Sequence, residues 1–167
     1  MSTLNVGTIA STTGTTGMTI DSSGRILQPA KPAFSVLKNA SQTATGNNEL
    51  ITWNVISLNI GNHFGSNLFT APVAGVYCFS MIVLTPNATG IETYSFRANP
   101  SGGSQVELAD FMSTNSSGHE TVSGTIVHQM GVGDTLGLYL KSTNDVAYGD
   151  TGDSLSLIHI SEPTRRY

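Results

Sequence analysis

Charge is scarce in this chain. Seven Lys and Arg and eleven Asp and Glu make up 11% of its 167 residues, less than half of the roughly one quarter usual in soluble domains. Solubility therefore rests on Ser, Thr, Asn and Gly. The formal net charge is -4, and the sole adjacent basic pair is Arg165–Arg166, so there is no electrostatic footprint for nucleic acid. Cysteine is limited to Cys78, which excludes an intrachain disulfide framework. No apolar run approaches the roughly 20 residues of a membrane-spanning helix, so membrane insertion is not expected. Met1-Ser2-Thr3-Leu4-Asn5 has neither the basic start nor the apolar core of a signal peptide. Helical periodicity is missing throughout.

What is present is β-forming sequence punctuated by turns. Residues 1–32 are rich in Thr and Gly, with thin apolar marks at Leu4, Val6, Ile9, Met18, Ile20, Ile26 and Leu27. Leu4 with Val6, and Met18 with Ile20, alternate as in short strands. Asp21-Ser22-Ser23-Gly24 is a turn signal that makes Met18–Leu27 a small hairpin. So few apolar residues cannot close a private core, so this stalk segment needs copies of itself or a carrier to become ordered; a flexible tail is the alternative. Pro29 and Pro32 form a stiff junction.

Residues 33–154 carry the core. Strands are predicted at Ala33–Lys38, Glu49–Asn59, Leu68–Thr70, Val76–Leu84, Thr93–Ala98, Gln105–Met112, Glu120–Met130, Thr135–Lys141 and Asp145–Tyr148. Many short strands with Gly-rich turns predict an all-β sandwich or barrel. Val76–Leu84 is the informative strand. Tyr77, Phe79, Met81 and Val83 fall on one face; Val76, Cys78, Ile82 and Leu84 fall on the other, with Ser80 as its polar exception. Side chains alternate strictly along a strand, and an antiparallel strand usually leaves one face wet. A strand apolar on both faces needs a second cover, either a neighbouring subunit or a loop of the same chain. In Thr135–Lys141, Leu136, Leu138 and Leu140 form an ordinary core face, and Tyr139, on the other, is placed at an interface.

Trp53, Asn59, Phe64, Phe69, Gly75, Tyr77, Phe79 and Met81 are spaced like the signature of the complement component 1q globular-head family, relatives of tumour necrosis factor. Phe69-Thr70-Ala71-Pro72-Val73-Ala74-Gly75-Val76-Tyr77 is close to that family's wording. Trp53 stands where a Phe is usual, Met81 where an aromatic is usual, and the loop between Phe64 and Phe69 is two residues short. Lys31–Val36, Val132–Leu136 and Val146–Asp150 resemble other family segments. The resemblance implies a jelly roll of about ten strands in two antiparallel sheets, assembled as a homotrimer. Residues 14–26 resemble stalk segments of phage tail fibres and virion structural proteins. Leu155–Arg165 resembles the in-frame translation of a sequencing adapter, so residues 155–167 are read as non-native, and no role is assigned to His159, Arg165 or Arg166.

Chemical sites are few. His63, His119 and His128 lack metal-ligand spacing. Asp145, Asp150 and Asp153 lie in a Gly-containing stretch with oxygens to offer Ca²⁺, and some members of the resembled family bind Ca²⁺, but there is no twelve-residue loop ending in Glu. Cys78 reads as an inert core thiol. No nucleophile elbow or phosphate loop occurs; glycosidase chemistry needs two facing carboxylates, for which Glu92, Glu107, Asp110 and Glu120 are the candidates. Asn39, Asn87 and Asn115 head glycosylation sequons. The expected function is a non-catalytic trimeric head, on a virion or extracellular. It would contact a host-surface glycan or protein through Pro86–Ile91, Pro100–Ser104 and Met112–Gly118, and other virion proteins through residues 1–32. An extracellular recognition protein and a carbohydrate-cleaving spike are the alternatives.

Overall fold

The computed structural model describes residues 6–14, 16–28, 31–86, 90–114 and 118–150, and the backbone alone of 155–161. Among these there is no helix. Three strands lie before the head: β1 (Thr8–Ala10), β2 (Thr16–Ile20) and β3 (Ile26–Leu27). The head contains β4 (Ala33–Lys38), β5 (Gln42–Thr43), β6 (Glu49–Leu50), β7 (Val55–Ile60), β8 (Phe64–Gly65), β9 (Leu68–Thr70), β10 (Gly75–Leu84) and β11 (Glu92–Asn99). It continues with β12 (Val106–Ser113), β13 (Thr121–Met130), β14 (Thr135–Leu140), β15 (Val146–Ala147) and β16 (Leu155–Ser161). The chain divides into two compact units, Met1–Lys31 and Pro32–Tyr167.

In the first unit β1-β2-β3 form an antiparallel sheet. Its turn is held by Asp21, whose carboxylate accepts the backbone N–H groups of Ser23 and Arg25 and pairs with the Arg25 guanidinium at 2.7 Å. The hairpin expected over Met18–Leu27 is therefore present. Among the described residues the first strand is Thr8–Ala10, with Val6 before it and outside any strand; Leu4, the other residue of the expected alternation, lies outside the described residues.

The second unit is a two-sheet antiparallel jelly roll. One sheet has the order β13-β10-β16-β4-β7, the other β12-β11-β14-β9-β8 with β6 added beside β14; β15 and β5 form a small third ladder. Alternation decides what each strand buries. Phe34, Val36, Tyr77, Phe79, Met81, Val83 and Met130 point inward from the first sheet, and Tyr94, Phe96, Leu136, Leu138 and Leu140 from the second. Full burial contributes about 1.5–3 kcal/mol for each such large side chain.

The expected single strand over Glu49–Asn59 is two. Leu50 pairs with Tyr139 in one sheet, and Val55–Ile60 pairs with β4 in the other. Between them the chain crosses the core, burying Ile51 and Trp53. The Ile51 amide donates to the Leu138 carbonyl, which ends the first pairing. Tyr139 is buried in the protomer, not at its surface: the side chains of Leu50 and Leu68, from the paired strands β6 and β9, lie over its face of β14. The approach is close enough that a Cβ on Gly137 would lie 2.7 Å from Leu68 Cδ2 and 2.8 Å from Leu50 Cδ1. Leu155–Ser161 occupies the slot between β10 and β4, pairing Ile158 with Ser80 and Ser35.

Candidate binding surfaces

The signature residues converge on one end of the core. Phe34 stacks on Phe64 at 4.6 Å and on Phe69 at 5.5 Å, and Phe69 meets the edge of Phe79 at 5.5 Å. Tyr77 lies 5.4 Å from Phe69, its hydroxyl donating to the Val73 carbonyl. Burial pushes the Tyr77 hydroxyl's pKa up, so it remains a donor. Asn59 closes the loop before β8: its Nδ2 donates to the Phe64 carbonyl and its Oδ1 accepts the Phe64 amide, at 2.8 and 3.0 Å. Trp53, Gly75 and Met81 are also buried. These residues build the scaffold and present no reactive group.

The same end of the head, where the chain enters at Pro32, is tied by Asp134. Its carboxylate accepts the amides of Ser101 and Gly131, both at 2.7 Å, and its carbonyl accepts the Ala71 amide. The loop Pro100–Ser104 lies here. The strand ends that border the other two segments singled out, Pro86–Ile91 and Met112–Gly118, lie at the opposite end, because β10 and β12 both run away from the entry point; residues 87–89 and 115–117 lie outside the described residues. Asn87 and Asn115 lie outside the described residues. Asn39 is exposed and bonded to the side chain of Asn54.

Beneath those far loops sits a polar layer. Thr85, Thr93, Ser113 and Asp145 are all buried. The Thr85 hydroxyl accepts the Glu120 amide and donates to its carbonyl. The Ser113 hydroxyl donates to the Glu120 carboxylate. His119 packs on Tyr148 at 4.5 Å and bonds the Thr85 carbonyl through Nδ1 at 2.7 Å. Glu92 accepts the Val146 amide at 2.6 Å, and the Tyr94 hydroxyl donates to the Val146 carbonyl. Burial, and secondarily the charge of Asp145, raises the pKa of the Glu92 carboxyl; burial raises that of Asp145 as well.

The sequence candidates for metal and acid chemistry are dispersed. The Asp145 carboxylate accepts the Ser142 amide, Asp150 is exposed, and Asp153 lies outside the described residues. Among the described residues no three His, Cys, Asp or Glu gather as a metal site. His63 folds back over Gly61. His128 is half-buried on β13, and burial lowers its pKa. Glu107 and Asp110 do not face Glu92 and Glu120; both bond the Lys141 ammonium, and Arg97 holds Glu107 at 2.6 Å. Hydrogen bonds from Lys141 and Arg97 lower the Glu107 pKa.

The outer face of the first sheet carries exposed apolar side chains. On β10 it carries Val76, Cys78, Ile82 and Leu84, with Ile82 half exposed at 50%. Cross-strand register sets Val127 beside Cys78, and Val127 is 68% exposed. At the other edge Ile56, Leu58 and Ile60 are open. The two-sided strand expected from the sequence is thus covered on one side only. Soluble monomers rarely expose contiguous apolar patches beyond a few hundred Å².

Residues 33–156 match the C1q domain family. The globular domain of a zebrafish complement 1qA protein superposes with a TM-score of 0.63 at 23% identity, covering 80% of this chain and 100% of that one. Murine APRIL gives 0.60 at 10% identity, covering 78% and 98%. Eiger TNF from S. frugiperda gives 0.61 at 6% identity, covering 81% and 97%. At these identities the structures establish the shared jelly roll. The comparison with curated proteins found no match to this chain. Among the described residues no helix is long and apolar enough to cross a membrane.

Proposed function

The chain belongs to the C1q domain family, and we propose that it works as a non-catalytic recognition head, a homotrimer whose loops contact a surface ligand. The observation that carries this reading is the apolar outer face of β10 and its neighbours, with Ile82 and Val127 exposed in one protomer. Each hydrocarbon Å² removed from water is worth about 25 cal/mol, so a sister chain is the cover that this face favours. Ring closure into a trimer needs two different patches in contact. The edge residue Val127 and the opposite-edge residues Ile56, Leu58 and Ile60 supply two. Three linked heads convert weak contacts into avidity.

The far loops, beyond the polar layer of Thr85, Ser113 and Glu120, are the proposed ligand-contacting end. The strands that bear them end on the side of the head away from Pro32, and binding residues are found disproportionately on loops carried by such a scaffold. The carboxylates of Glu107 and Asp110 are neutralised by Lys141 and Arg97, which favours binding over cleavage. The narrower proposal is a virion setting, with the head at the end of a fibre. An extracellular recognition protein is the second reading, favoured by the family match itself.

A glycan array of bacterial and animal surface polysaccharides tests the proposal, with the native chain and the variant Ile82→Arg side by side. The native chain is expected to be retained on some glycans and to dissociate slowly. The variant is expected to fold but to dissociate at least tenfold faster from the same spots. Equal dissociation, or release of reducing ends from the glycan, would contradict a multivalent non-catalytic head. Tail or baseplate genes beside the coding sequence would favour the virion setting.

A further inference from the structure

The three-stranded sheet of the first unit has two unlike faces. Residues directly opposite in an antiparallel ladder share a face, as do residues two apart on one strand. Ile9 opposes Met18, Ile20 opposes Ile26, and Met18 and Ile20 are two apart. Ile9, Met18, Ile20 and Ile26 therefore lie on one side. Thr8 opposes Thr19, and Thr19 opposes Leu27, which makes the other side mainly polar. The apolar side is open: Ile9 is 53%, Ile20 40% and Ile26 61% exposed.

We propose that this face packs on the same face of two sister chains, so that Ile9, Met18, Ile20 and Ile26 form a shared seam. The inference rests on the trimeric head proposed above. Three observations select a sister chain over an unrelated partner. The face carries no charge by which a foreign protein would be chosen. Within Thr8–Leu27 the only charged residues are Asp21 and Arg25, and they neutralise one another in the turn. The tether is short: five residues separate Leu27 from Ala33, a reach of at most about 20 Å. A trimeric head thus holds three copies of the face at an effective concentration in the millimolar range. The sheet also leaves Ile9, Ile20 and Ile26 exposed, and so few apolar residues cannot close a private core.

Hydrogen exchange of the full chain tests this, read on peptides spanning residues 16–27, where the Ile20 amide bonds the Gly7 carbonyl. Three proteins are compared: the native chain, the head variant Ile82→Arg, and the double variant Ile20→Ser with Ile26→Ser. In the native chain exchange over residues 16–27 is expected to be slowed at least tenfold relative to an unstructured peptide. The double variant should lose that protection while its mass stays three-fold. Ile82→Arg should lose it together with the three-fold mass. Protection that persists in a monomeric Ile82→Arg chain would overturn the inference, because one chain would then suffice. A three-fold native chain with no protection over residues 16–27 would overturn it too, leaving the trimeric head intact. A monomeric native chain would instead remove the reading on which it rests.

Discussion

Asn59 makes two hydrogen bonds to the backbone of Phe64. Losing both leaves a partly buried amide and carbonyl unpaired, at a cost of about 1–3 kcal/mol. Asn59→Ala is therefore expected to lower the unfolding free energy measured in urea by that amount, whereas Asn59→Asp, which keeps the acceptor, should cost less; equal losses would show that the retained acceptor contributes nothing. Phe69 touches Phe34, Tyr77 and Phe79, so Phe69→Ala should cost about 3–5 kcal/mol in the same measurement. Glu92 predicts a pH effect. Its carboxyl is raised in the folded chain, first by burial and then by Asp145. In the window above the ordinary carboxylate range the folded state holds more protons than the unfolded state. Stability must fall as pH rises through that window and be regained as pH drops below it. Glu92→Gln keeps an acceptor for the Val146 amide but carries no charge. Denaturant midpoints at acid and neutral pH should converge in this variant; an unchanged pH dependence would show that Glu92 is not its source.

At the scale of elements, β10 is the strand most legible from sequence and β16 the one whose placement matters most. The alternation of Tyr77, Phe79, Met81 and Val83 with Val76, Cys78, Ile82 and Leu84 fixes both faces of β10 by itself. Alternation fails at Glu49–Asn59 because nothing local marks the crossing between sheets. That crossing is set by Leu138, far along the chain, which takes the Ile51 amide, and by Asn67, which takes the Trp53 amide. The signature aromatics were readable as a set because they share one core. The polar layer at the far end was not, since Glu92 and Val146 are 54 residues apart and neither belongs to a motif. Leu155–Ser161, read as foreign sequence, fills a central slot. Each of β10 and β4 would present an open edge without it, and open edges recruit other chains. A chain cut back to Ser154 is expected to aggregate, and the full chain, with Leu155–Ser161 in that slot, to stay soluble. Equal solubility of both, judged by light scattering at matched concentration, would show that the slot tolerates being empty.

The whole molecule joins a closed core to an unclosed surface. The inner faces of the two sheets satisfy each other, and the loops at both ends are tied by Asp134 and by the Thr85–Glu120 bonds. The outer face of the five-stranded sheet is left with exposed Ile, Leu and Val, and the charged residues that could keep it wet are missing from a chain that is only 11% charged. The measurement that bears most directly on this is sedimentation equilibrium of the native chain across a hundredfold concentration range. A mass of three chains, falling to one when Ile82 is replaced by Arg, is the predicted result; a native chain that stays soluble with the mass of a single chain would contradict it.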